Sequence, residues 1–96
     1  MKTIRVGAID YELRAVKGLK DEKGEDLCGQ QGYAEAVIEV SSGMAALPTF
    51  ATIWHEVLHA VECQHGWAED EERVSALADS IVQILRDNPE MRTPPA

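Results

Sequence analysis

From Leu47 to His65 the chain contains no glycine, and its one proline, Pro48, stands where a first helical turn tolerates a missing N–H. Gly66 follows at once, in the position that favours the left-handed end of a helix. At 100° per residue Phe50, Trp54, Val57, Leu58 and Val61 fall on one face, and His55 and His59 fall together on another. A long amphipathic helix over 47–65, with two histidines off its apolar face, therefore constrains everything else the chain can do.

A second helix is expected from about Asp70 to Asp87. Its first turn is acidic, which suits the helix dipole, and Asn88-Pro89 stops it. Val74, Leu77, Ala78, Ile81, Ile84 and Leu85 make its expected apolar stripe. Ahead of both helices, residues 3–17 alternate apolar and polar and read as one strand, or as two with a bend near Gly7 to Asp10. Residues 18–25 read as a charged turn, Leu27 to Gly29 as a strand start, Gln30 to Tyr33 as a turn or irregular edge, and Ala36 to Val40 as a strand. Strands first and helices after give an α+β fold: a small antiparallel or mixed sheet of about three strands, packed on the histidine helix and the C-terminal helix.

With 96 residues the chain reads as a single domain, 1–96, ending in a flexible tail from Met91 to Ala96. A formal charge of −8 and scattered basic residues disfavour a nucleic-acid partner. Cys28 and Cys63 are too few for a disulfide scaffold. No segment has the length of a membrane span and the N-terminus lacks the apolar run of a signal peptide, so no membrane partner is expected and a cytoplasmic location is.

The chemistry resides in His55-Glu56-Val57-Leu58-His59. Two imidazoles four residues apart on a helix lie about one turn apart, roughly 6 Å, within reach of one ion. Zinc favours imidazole nitrogen, and a catalytic zinc takes three protein ligands and keeps one position open. Glu56 is then the residue to take a proton from a water activated by the ion and to pass it to a leaving amine. A chance pairing of two surface histidines is the plain alternative, and the placement on a helix argues against it.

The third ligand is less directly readable. Cys63 is eight residues beyond His55, about 12 Å along a straight helix, and too far to share its ion. His65 completes a His-x3-His-x5-His spacing, but Glu62 stands where that pattern needs a chain-turning glycine, and a helix running on to Gly66 points His65 away. Glu71 lies at the border of the second helix's apolar stripe, from which a side chain can reach the first helix. Asp70 is shorter and suits the N-cap, and Glu72 points toward solvent. Glu71 is preferred, with His65, Asp70 and Glu72 as alternatives.

At these residues the chain resembles the gluzincins, in which a His-Glu-x-x-His helix is followed by a helix bearing a glutamate ligand. The resemblance is to the small phage-associated peptidases of the ImmA/IrrE type and to the minimal gluzincins, and covers residues 32–89. It carries over to Glu71 as ligand, followed by Val74, Ser75, Leu77 and Ala78. Ser75 stands where the family has Asn or Asp, a departure at the place that supports a histidine from behind. The resemblance implies a zinc-dependent peptidase acting on a peptide or protein, and an edge strand beside the zinc, here Ala36 to Val40. Tyr11, Tyr33 and His65 are the candidate donors for a reaction oxyanion. A zinc-stabilised binding module and a three-histidine nuclease, whose known examples carry Gly in the place of Glu56, are the competing readings.

Overall fold

A computed structural model describes residues 3–94; Met1, Lys2, Pro95 and Ala96 lie outside the described residues. The expected α+β architecture is present. Four strands, β1 (Thr3–Val6), β2 (Ile9–Val16), β3 (Gly29–Gly32) and β4 (Val37–Ser41), precede two helices, α1 (Ala46–His65) and α2 (Glu71–Asp87). They form one mixed sheet in the order β1-β2-β4-β3. β1 pairs with β2 and β3 with β4 antiparallel, while β2 and β4 run parallel.

The sheet holds one strand more than expected, and its edge lies elsewhere. Gln30 to Gly32, expected as a turn or irregular edge, continue the strand that Leu27 to Gly29 was expected to start, and β3 is the edge strand on the side of α1. β4, expected at the edge, is interior, between β2 and β3. Two glycines and two glutamines carry little strand propensity of their own, so this strand exists through its ladder to the apolar β4. Ile38 of β4 is fully buried, as suits a strand with a neighbour on each side.

α1 lies across the sheet, and α2 packs on α1 and on the turn that follows it, with no strand against it among the described residues. Tyr11 and Ile38 from the sheet close on Ala60 of α1, with Val57 and Val61 packed around them. Alanine at position 60 lets the helix axis approach the sheet closely. Gln64, one turn further on, donates from Nε2 to the Val6 carbonyl at 2.7 Å, fastening the end of α1 to the β1–β2 hairpin. Gly66 adopts φ 68° and caps α1, as expected. Phe50, placed on the apolar face by the wheel, is exposed.

In α2 the buried residues are Val74, Ala78 and Val82, and Leu77 and Ile84 are exposed. The stripe is therefore rolled from the expected one, because α2 meets one helix and buries only the narrow ridge facing it. Asp70 is the N-cap, its side chain accepting from the Arg73 amide at 3.0 Å. Met91 and Arg92, the first residues of the expected tail, belong to a 3-10 turn, Pro89–Arg92, and Arg92 donates to the Leu85 carbonyl at 2.9 Å. The tail's last two residues lie outside the described ones. No helix among the described residues is long and apolar enough to cross a membrane.

Candidate metal centre

The α1–α2 connection turns back so that the first residue of α2 faces the middle of α1. There His55 Nε2, His59 Nε2 and Glu71 Oε1 converge. The two imidazole nitrogens are 3.1 Å apart, His59 Nε2 is 3.1 Å from the Glu71 oxygen, and His55 Nε2 is in hydrogen-bond contact with that same oxygen. Donor atoms on a tetrahedral zinc, at bonds of about 2.0–2.1 Å, stand roughly 3.3 Å from one another. The two separations at His59 Nε2 are close to that spacing, while His55 and Glu71 are in direct contact, so this His-His-Glu group could hold one ion once that contact opens. His65, Asp70, Glu72 and Cys63 are not part of it.

The rolled stripe of α2 explains why Glu71 arrives. Glu71, Val74 and Ala78 are spaced three and four residues apart, so the carboxylate heads the ridge that packs on α1. Burial grades across the site: the His59 side chain is 9% exposed and the Glu71 side chain 62%. One side of the group is packed and the other opens into a cleft of about 780 Å³.

Glu56 and His59 are the two buried polar residues of the described chain. The helical wheel set the histidines apart from the apolar face, yet His59 and Glu56 are covered by the strands and by α2. Burial raises the Glu56 pKa above the ordinary carboxylate value, partly opposed by the charges of His55 and His59. For His59 burial opposes protonation, but hydrogen bonds to Glu62 and Glu71 outweigh it and the pKa is raised. For Glu71 burial also acts upward, and is outweighed by the two histidines, so its pKa is lowered. Two imidazole nitrogens and a carboxylate in contact share protons when no cation is present, which is the state these directions describe.

Two residues to which the sequence reading gave no role shape the site. Gly29 lies on the face of β3 toward α1, opposite Val40. A Cβ there would sit 2.6 Å from Thr52 Cγ2 and 3.2 Å from Glu56 Cγ, so glycine makes the room that Glu56 occupies. A glycine inside a strand was the available signal. Glu62 accepts at 2.7 Å from His59 Nδ1, the place behind a ligand histidine that the resemblance assigned to Ser75. Its i,i+3 spacing from His59 was the signal. Ser75 lines the cleft instead.

None of the three expected oxyanion donors reaches the cleft. Tyr11 is fully buried in the core beside Gln64, and Tyr33 is exposed in the β3–β4 turn. His65 Nδ1 donates to the Val61 carbonyl at 3.0 Å while its ring lies against Trp67. What does line the cleft is β3. Ser41 N–H donates to the Cys28 carbonyl at 2.7 Å, which makes that pair a hydrogen-bonded one. By alternation Gln30 and Gly32 also bond inward to β4, and the N–H and C=O groups of Gly29 and Gln31 face the free edge. Gln31 Oε1 is buried with no hydrogen-bond partner among the described residues. No protein-family model, curated protein or solved structure matches the chain.

Proposed function

We propose that this protein is a small zinc-dependent peptidase of gluzincin type. The observation that carries the reading is the convergence of His55 Nε2, His59 Nε2 and Glu71 Oε1 beside a buried Glu56, at the mouth of a cleft walled by a free strand edge. His55, His59 and Glu71 would hold a divalent ion, which would supply Lewis acidity toward a peptide carbonyl and a bound water. Glu56, held in low dielectric with its pKa raised, is suited to accept a proton from the attacking water and return it to the departing amine. Gly29 and Gln31 offer main-chain donors and acceptors along which an extended peptide can add as a further strand.

Two experiments test this. Zinc-loaded protein incubated with a mixed peptide library is expected to give cleavage products by mass spectrometry. Glu56→Gln is expected to lower the rate by about 10²–10⁴-fold while keeping zinc; equal rates for the two proteins, or no cleavage by either, would count against a peptidase. Gln31→Pro removes an N–H that bonds no neighbouring strand, so the sheet is expected to survive and cleavage to fall by about tenfold, the worth of roughly one main-chain hydrogen bond. Gln31→Ala, which keeps that N–H, separates the main-chain contribution from the side-chain one.

A further inference from the structure

Glu62 is engaged at both ends of its carboxylate. Oε1 accepts from His59 Nδ1 at 2.7 Å, and Oε2 accepts from the Asp70 amide at 3.0 Å. The side chain is 12% exposed, so neither bond is readily replaced by water. Each bond ends at a different part of the candidate metal group. Accepting from Nδ1–H keeps the lone pair of His59 on Nε2, the atom that faces His55 and Glu71. Holding the Asp70 amide fixes the residue that caps α2 and immediately precedes Glu71. The main chain of Glu62 adds to this, since its carbonyl accepts from the Trp67 amide at 2.9 Å. The connection from α1 to α2 is thus moored twice to one residue.

We infer that Glu62 is a positioning residue that couples two ligands of one ion: it sets the tautomer and orientation of His59 and holds the start of α2 so that Glu71 meets the same point. The inference rests on the metal-centre reading above, and is independent of whether the site cleaves peptides. It requires a carboxylate. Glutamine has one acceptor oxygen and an NH₂ that meets a donor, so it can serve His59 or Asp70, but not both.

The test is zinc affinity by competition with a chromophoric chelator, for the wild type, Glu62→Gln, Glu62→Asp and Glu72→Gln. The last removes the same charge from an exposed position in the first turn of α2. Glu62→Gln is expected to weaken zinc binding about 10–100-fold, Glu62→Asp to recover part of that loss, and Glu72→Gln to stay within about twofold of wild type, as a surface change does. In a Glu71→Gln background the penalty of Glu62→Gln is expected to shrink by at least about twofold, the lower range for residues sharing one network. Nitrogen NMR of zinc-loaded wild type, which needs no variant to fold, is expected to show His59 bound through Nε2 and protonated at Nδ1. Zinc bound through Nδ1, or Glu62→Gln equal to Glu72→Gln, overturns this inference alone. An undiminished penalty in the Glu71→Gln background overturns the coupling. A wild type that takes up no zinc overturns the metal-centre reading, and this inference with it.

Discussion

His59 in the middle turns of α1 and His65 in its last turn have opposite surroundings. His59 is buried, with Nδ1 on Glu62 and Nε2 facing His55 and Glu71. Six residues later His65 is exposed, bonded to a carbonyl of its own helix and stacked on Trp67. The helix is the same, and so is the side chain. What differs is the opposing surface: the start of α2 stands over the middle turns, whereas the last turn ends in the Gly66 cap. A histidine becomes a candidate ligand here because a second element brings a carboxylate to it, and spacing along one helix does not convey that.

The widest break in this comparison is expected in metal affinity. His59→Ala is expected to weaken zinc binding by more than about 100-fold, beyond the usual effect of losing an outer partner, and His65→Ala to leave it within about twofold, read by the same chelator competition. A comparable effect of the two substitutions would erase the distinction between the turns.

Stability offers a smaller contrast, between the glycines that serve each region. Gly29→Ala places a methyl 2.6 Å from Thr52 Cγ2 and 3.1 Å from the Glu39 carbonyl oxygen. Overpacking of this kind is expected to cost about 1–3 kcal/mol. Gly66→Ala meets no neighbouring atom within 4 Å, but keeps a positive φ, and is expected to cost about 1 kcal/mol. Denaturant unfolding of both variants measures the order, and a costlier Gly66→Ala would contradict the close approach of β3 to Glu56.

The smallest expected effect is on pH dependence. In metal-free protein His59 and Glu56 both have raised pKa values, so the folded state binds more protons than the unfolded one. Their contribution to stability is present in full below the unfolded values, 4.5 for Glu56 and 6.5 for His59, and is lost as pH rises through the folded values. Glu71, with a lowered pKa, acts the other way and loses its contribution only as pH falls below 4.5. Metal-free protein is therefore expected to melt at a higher temperature near about pH 5.5 than near about pH 8, while zinc, which needs deprotonated ligands, stabilises more at about pH 8. Thermal melts with and without zinc would show the two slopes; slopes of one sign would break the assignment of shared protons to this cluster.

The helices were legible in the sequence because their ends carry chemical markers: Pro48 and Gly66 bound α1, and Asp70 and Asn88-Pro89 bound α2. That His55 and His59 share a face, and that Glu71 rather than His65 comes to them, was legible as spacing and as position on a wheel. Strand β3 was legible only as a start ending at Gly29, because Gln30-Gln31-Gly32 has no apolar alternation and owes its structure to pairing with β4. The roll of α2 was not, because Leu77 and Ile84 look like core residues until it is known that only α1 lies against the helix. Glu62 stood out in the sequence only as a residue in the place of a chain-turning glycine, since nothing along the chain indicates that the amide of Asp70 returns to meet it. Local signals thus gave the elements, and the site's supporting contacts came from long-range packing that one sequence does not display.

Zinc-edge X-ray absorption on protein loaded with one equivalent tests the central claim most directly. Two imidazole nitrogens and two oxygens, one of them from a carboxylate, at about 2.0–2.2 Å are expected, with one imidazole lost in His59→Ala and none in His65→Ala. A sulfur scatterer near 2.3 Å, a third imidazole that disappears with His65, or the absence of a bound ion would contradict it.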